Sequence, residues 1–220
     1  MKSPFKLWQK TFPDPSNSPA HYTRSLSILT SPVAGFVEMG VGDWIRTFSG
    51  VVRLEVRTIS SNENISFVPL RGLSPILKSL HLVAGTSALS SDVLGLVCSF
   101  PSLEDLTLDF IENDEVDEWD IPLTSPKLTG CLDLNLDGGI RSAVRRLLEL
   151  PGGLHFSKIS VSCFEEDVEP MTDLVSKCSD TLESLSISYL LAGAGFLPVF
   201  MVDQYLTATF LRSQAQHTFA

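Results

Sequence analysis

Catalysis or metal binding by this chain would depend on its histidines, its cysteines or one acidic segment. The histidines are His21, His81, His155 and His217, and the cysteines are Cys98, Cys131, Cys163 and Cys178. They form neither an H-E-x-x-H nor a C-x-x-C motif, and their spacing does not match a zinc site. The chain also lacks a G-x-S-x-G elbow, a P-loop and a G-x-G-x-x-G turn. The sequence therefore predicts a protein that is not an enzyme, with no catalytic or metal-binding residues and no cofactor.

The most acidic segment runs from Glu112 to Asp120 and contains Trp119. It lacks the glycine and the alternating ligand positions of an EF-hand calcium loop. Two interpretations stay open at this point. The segment is either a solvated loop or a docking loop for a basic partner, with Trp119 as its anchor.

Composition and charge narrow the range of partners. Hydrophobic residues make up 44% of the 220 residues and charged residues 19%, which is typical of a globular chain with a sizeable core. The formal net charge of -10 disfavours contact with the phosphate backbone of nucleic acids. The longest apolar run, Tyr189–Val202, contains Pro198 and is shorter than the ~20 residues that a membrane-spanning helix needs. The N-terminus has no secretory signal, so a cytoplasmic or nuclear protein is expected.

One short phrase recurs along the chain, with apolar residues at its first, fourth and sixth positions. Full copies begin at Val51, Leu77, Leu103, Phe156 and Leu182, and weaker copies surround Leu26 and Leu132. The middle apolar residues of the copies are Leu26, Leu54, Leu80, Leu106, Leu132, Ile159 and Leu185. Successive members are separated by 28, 26, 26, 26, 27 and 26 residues. This near-constant spacing lies in the range of leucine-rich repeats.

The period predicts an α/β fold of the leucine-rich-repeat solenoid class, a horseshoe with parallel strands on its concave side. Each phrase alternates like a short strand, and stacked strands bury a face that one strand alone would leave exposed. The connections on the convex side are expected to be helices or irregular crossovers. Helical spacing of apolar residues follows Gly139, surrounds Met171 and continues from Ser91 to Pro101, whereas Ile121 to Pro126 is expected to be irregular.

Three regions follow from the repeat. We expect an irregular N-terminal arm over residues 1–20, an array of about seven repeats over residues 21–190, and an atypical apolar tail over residues 191–220. The tail either caps the array or is the altered end of a longer gene.

The candidate binding residues are those that flank the apolar positions of each strand and so point to the concave side. They are Arg53, Glu55, Arg57, His81, Asp105, Thr107, Asp109, Asp133, Asn135 and Lys158. Solenoids use this side for partners, although polar residues there also serve solubility.

The phrases Leu103–Leu108 and Leu182–Ile187, with the surrounding text LRGLSPILKSLHL and LVCSFPSLEDLTL, resemble the repeat region of fungal, mushroom-type F-box/leucine-rich-repeat proteins. The resemblance covers roughly residues 20 to 190. It implies a subunit that presents a substrate to a ubiquitin ligase. A Skp adaptor and a cullin are expected as partners only if an F-box lies upstream, because the residues before the first phrase are too few for one.

The sequence departs from many leucine-rich repeats in one respect. The position five residues after each middle apolar residue often holds asparagine or cysteine, but here it holds Ile59, Gly85, Ile111, Asp137, Phe164 and Leu190. The turns must therefore satisfy their backbone groups in another way. The expected function is a protein-interaction scaffold for a substrate, with a free-standing structural or regulatory module as the alternative and an enzyme with a site in the open face as a weaker one.

Overall fold

The computed structural model describes residues 4–14, 17–30, 45–58, 67–84, 91–111, 124–137, 140–189 and 205–209. Its main element is one sheet of eight strands, which lie side by side in chain order. The strands are β1 (Ser25–Thr30), β2 (Arg53–Thr58), β3 (Ser79–Ala84), β4 (Asp105–Ile111), β5 (Cys131–Asp137), β6 (Lys158–Cys163), β7 (Ser184–Tyr189) and β8 (Tyr205–Thr209). Strands β1 to β7 are parallel to one another, whereas β8 is antiparallel to β7.

The alignment of neighbouring strands follows the spacing of the recurring phrase. Each middle apolar residue lies opposite the next one, in the pairs Leu26–Leu54, Leu54–Leu80, Leu80–Leu106, Leu106–Leu132, Leu132–Ile159 and Ile159–Leu185. Because side chains alternate between the two faces of a strand, this register places every leucine of the series on the same face. The predicted α/β fold with a parallel sheet is confirmed.

The crossovers between strands carry the helices that the apolar spacing predicted. Helix α2 (Ser91–Cys98) leads from β3 to β4, α3 (Arg141–Leu148) from β5 to β6, and α4 (Val168–Cys178) from β6 to β7. Other crossovers contain short 3-10 helices, at Ile45–Thr47 and Val68–Gly72. Of the segment expected to be irregular, only residues 124–126 are described, and they lie in neither a helix nor a strand.

The core lies between one face of the sheet and the crossovers. In the middle strands the series residues Leu80, Leu106 and Leu132 are at most 1% exposed, and Leu185 near the C-terminal end is 9% exposed. The crossovers contribute Phe100 and Phe156, which are completely buried. Burying one such side chain stabilises the fold by about 1.5–3 kcal/mol, so the stacked leucines are the main source of stability.

Backbone hydrogen bonds connect the residues that immediately precede the strands. The amide of Lys78 donates to the carbonyl of Val52 at 2.9 Å, and the amide of Glu104 donates to the carbonyl of Lys78 at 2.8 Å. The same contact joins Gly130 to Glu104, Ser157 to Gly130 and Glu183 to Ser157. These bonds continue the sheet ladder by one residue and satisfy backbone groups at the entry to each strand.

A buried aspartate satisfies backbone groups in two neighbouring crossovers. Asp167 is 1% exposed, and its Oδ1 accepts a hydrogen bond from the amide of Ile140 at 3.1 Å. Its Oδ2 accepts a second bond from the amide of Phe164 at 3.0 Å. One carboxylate thus joins the start of α3 to the crossover that follows β6.

The N-terminal arm is more ordered than its sequence suggested. The expectation of an irregular segment over residues 1–20 is wrong for Pro4–Thr11, which form helix α1, and a 3-10 helix, Pro19–Tyr22, begins within the last two residues of that segment. Helix α1 carries Trp8, whose ring centroid lies 6.2 Å from that of Phe48, a buried core residue. The proline- and lysine-rich composition of this segment did not indicate a helix. One aromatic contact is enough to place a short helix against the core.

The end of the described chain also differs from a plain continuation of the array. Strand β8 falls within the predicted tail over residues 191–220 and pairs with β7. Tyr205 lies opposite Ser188 at one end of this pairing, and Thr209 lies opposite Ser184 at the other. Residues 190–202 of the apolar run Tyr189–Val202 lie outside the described residues, and so does the acidic segment with Trp119.

Candidate interaction face

The face of the sheet opposite the leucine core carries all ten residues predicted as binding positions. We call this side, formed by alternate residues of β1 to β7, the open face. Its side chains are exposed or half-buried wherever burial is described, whereas their neighbours Leu54, Leu106 and Leu134 are buried. The sheet therefore separates a dry side from a side that is available to solvent.

The register arranges the open-face residues in columns that run across the strands. One column is Glu55, His81, Thr107, Asp133, Ser160 and Ser186. The next is Arg57, Val83, Asp109, Asn135, Ser162 and Ser188. The third contains Arg53, Ser79 and Asp105, and then Cys131, Lys158 and Ser184. Residues that are 26 or 27 positions apart in sequence thus become neighbours in space.

An ion pair organises the β2 end of the open face. Arg57 Nε lies 2.6 Å from Glu55 Oε1, and His81 Nδ1 lies 3.8 Å from the same oxygen. The hydrogen bond from Arg57 lowers the pKa of the Glu55 carboxyl, although burial opposes this effect. Glu55 therefore stays ionised and holds the Arg57 guanidinium against the sheet, which reduces the entropy that Arg57 would lose on contacting a partner.

Three carboxylates occupy the centre of the open face, on β4 and β5. Asp105 Oδ1 accepts a hydrogen bond from the amide of Cys131 at 2.8 Å. Asp109 Oδ1 accepts one from Asn135 Nδ2 at 3.2 Å. Burial raises the pKa of the Asp133 carboxyl and the nearby Asp109 carboxylate adds to the increase, against opposing effects of Ser160 and His81. Ionisation of Asp133 therefore carries an electrostatic cost in the folded state.

The two ends of the open face differ in chemistry. On β6 and β7 the described positions are serines apart from Lys158, which is exposed next to Cys131. On β1, Leu29 lies opposite Arg57 and is 62% exposed. Sequence reasoning missed Leu29, although its position 28 residues before Arg57 would have identified it as a member of the same column. It also missed the ion pair of 2.7 Å between Lys78 Nζ and Glu104 Oε1, which are 26 residues apart.

The other candidate chemical residues do not converge on the open face. Within the described residues, no three histidines, cysteines or carboxylates are placed to hold a metal ion. The ring of His21 lies 3.2 Å from Ser49 Oγ, near the start of the sheet. All four cysteines are free thiols, and burial raises the pKa of Cys98 and of Cys163 to about 11. None of the described helices is long and apolar enough to cross a membrane.

Comparison with protein-family models, with curated proteins and with solved structures gives no match to this chain. The functional argument therefore rests on the geometry and chemistry of the open face.

Proposed function

We propose that this chain is a leucine-rich-repeat solenoid whose open face holds a protein partner, and that it acts as a scaffold rather than as an enzyme. The observation that carries the proposal is the alignment of ionisable and polar side chains in columns across seven parallel strands. The leucine side of these strands forms the buried core, and most side chains of the opposite side lie outside it. The opposite side is therefore free to vary with a partner.

Leu29, Arg57 and Glu55 are the best anchor for a partner on the open face. Arg57 is held in place by Glu55, and the exposed side chain of Leu29 lies beside it on β1. An arginine next to an exposed apolar side chain is typical of interface hot spots, where a few residues supply most of the binding energy. Asp105, Asp109 and Asp133 would add contacts to cationic groups of the same partner.

The resemblance to fungal F-box/leucine-rich-repeat proteins gives this scaffold a more specific role. In that role the open face binds a ubiquitination substrate in the cytoplasm or nucleus, and an upstream F-box recruits the Skp adaptor and the cullin. The alternative is a free-standing module with a structural or regulatory role. The two differ in one observable, the presence of the Skp adaptor and the cullin among the proteins bound to the full natural chain.

The test compares the proteins recovered with three tagged chains expressed in their native cells. The first is the natural chain, the second carries Arg57→Glu and Asp109→Lys, and the third carries Lys177→Glu on α4. The open-face substitutions should reduce specific partners by tenfold or more, because interface reversals replace attraction with repulsion. The Lys177 control, exposed on the other side of the sheet, should retain them.

The three purified chains should have the same circular dichroism spectrum and the same thermal unfolding midpoint, since all three substitutions are on exposed or half-buried side chains. Equal recovery of every protein by all three chains would refute the open-face proposal. Loss in the Lys177 variant alone would place the partner on the helices.

A further inference from the structure

Helices α3 and α4 enclose a groove on the side of the molecule opposite the open face. The groove has a volume of about 490 Å³, and its lining includes Val144, Leu148 and Pro170. Val144 and Pro170 are buried and Leu148 is half-buried, so the floor of the groove is apolar. The walls, by contrast, carry exposed charged side chains.

Over the first two turns of the helices the two walls have opposite charge, and Glu149 at the C-terminal end of α3 also lines the groove. Helix α3 presents Arg141 and Arg145, one turn apart, and α4 presents Glu169 and Asp173, also one turn apart. Arg141 Nη2 lies 3.9 Å from Glu169 Oε2, so the first turns of the two helices are at the same level. Both helices return from the end of one parallel strand to the start of the next, so they run in the same direction and Arg145 is level with Asp173.

Within one copy of the chain the ion pairs of these walls are long, and Arg141 Nη2 also donates a hydrogen bond to the carbonyl oxygen of Glu166 at 3.3 Å. The contact of Arg141 with Glu169 is long, as is the 3.7 Å contact of Arg145 Nε with Glu149 Oε1. The side chains of Arg145 and Glu169 are 80% and 83% exposed, respectively. By comparison, the ion pairs Arg57–Glu55 and Lys78–Glu104 are 2.6 and 2.7 Å long.

We infer that this groove is a self-association surface, occupied by the same groove of a second copy of this chain. A twofold axis parallel to the helices, between the two facing grooves, places α3 of each copy over α4 of the other. Arg141 then faces Glu169 of the second copy, and Arg145 faces Asp173, so each dimer gains four pairings between opposite charges. A surface that carries both charges in matching register is complementary to itself, which is what a twofold interface requires.

The expected association is weak. Helix α4 is about 16 Å long, and two adjacent helices are about 20 Å wide, so each copy covers roughly 320 Å². This is less than half of the ~800 Å² per partner in a stable interface. We therefore expect a dissociation constant on the order of 0.1–1 mM, and attraction that decreases as salt rises. Two chains bound to one multivalent partner would reach such concentrations locally.

The experiment is sedimentation equilibrium of the purified full chain from about 10 µM to 1 mM, at low and at high salt. The natural chain should associate to a dimer, and Arg145→Glu and Asp173→Lys should each weaken the dimer about tenfold or more. Each substitution turns two attractions per dimer into two repulsions. Arg57→Glu on the open face is the control and should leave self-association unchanged.

Mixing the two weakened variants provides the decisive comparison. In the mixed dimer, the carboxylate introduced at position 145 of one variant faces the ammonium group introduced at position 173 of the other. The natural Arg145 of the second variant faces the natural Asp173 of the first, so both pairings are attractive. The mixture should therefore dimerise about as well as the natural chain, although neither variant does so alone.

Two results would overturn the inference: a natural chain that stays monomeric at about 1 mM, or a mixture of the two variants that stays monomeric. Either result leaves the open-face proposal untouched, because the partner test uses different residues.

Discussion

Replacing Leu106 by alanine tests the central assumption about the fold, that the aligned leucines are the main stabilising contacts. Leu106 is completely buried in β4, the middle parallel strand. Its neighbours in register are Leu80 on β3 and Leu132 on β5, which are themselves at most 1% exposed. The substitution removes three carbon groups from a site that is enclosed by other leucines on both sides.

The expected loss can be worked from this environment. Three buried carbon groups at about 0.8 kcal/mol each give about 2.4 kcal/mol of lost transfer free energy. A cavity between two fixed strands collapses incompletely, which adds to the loss, so the total should lie near 3–4 kcal/mol and within the range of about 2–5 kcal/mol for such changes. Leu26→Ala on the edge strand β1 should cost about 1 kcal/mol, because Leu26 is only partly buried and has one neighbouring strand.

Urea unfolding followed by far-ultraviolet circular dichroism measures both free energies, provided that the transitions have similar slopes. Thr107→Ala serves as the matched control, since Thr107 belongs to the same strand but lies on the open face. Its cost should stay below about 1 kcal/mol, the span of strand propensities. A loss below about 0.5 kcal/mol at Leu106, or a loss no larger than that at Leu26, would show that the assigned register is wrong.

Two further predictions concern single carboxylates. Asp133→Asn should raise the urea midpoint at pH 7, because the raised pKa of Asp133 means that its ionisation opposes folding. The cost of ionisation disappears as the pH falls below 3.8, the pKa of the unfolded carboxyl, because Asp133 is then protonated in both states. The stability gained by Asp133→Asn should therefore vanish at that pH. A variant less stable than the natural chain at pH 7 would contradict the prediction. Asp167→Ala should cost about 2–4 kcal/mol, because the buried amide of Ile140 and the part-buried amide of Phe164 lose their acceptor. Hydrogen exchange should accelerate at both amides, and unchanged exchange at Ile140 would show that Asp167 does not hold the start of α3.

The sequence predicted the parts of this protein that depend on periodic burial. The alternation of apolar residues identified the parallel strands and their register, because a shift by one residue would turn every leucine toward solvent. Helical spacing predicted α2, α3 and α4 for the same reason. The ten candidate binding residues follow from this register, which explains why they share one face.

Features that depend on a single contact were not visible in the sequence. Helix α1 is placed by Trp8 against Phe48, and one aromatic residue in a polar segment carries no periodic signal. Asp167 accepts two hydrogen bonds that come from different crossovers, so its role appears only after the crossovers are brought together. Leu29 differs from these two, because its spacing from Arg57 places it on the open face and only its apolar type hid it among the core residues.

The reversed direction of β8 gives the sheet two unlike ends. A stack of parallel strands could in principle grow without limit, because the last strand of one molecule offers the same edge that accepts the first strand of the next. Strand β8 occupies the edge of β7 with the opposite polarity, so an incoming β1 cannot continue the parallel ladder there. The β1 strand of a second copy therefore cannot pair directly with β7, which is the edge that a continued parallel ladder would need. Strand β8 thus ends the parallel part of the sheet within the molecule itself.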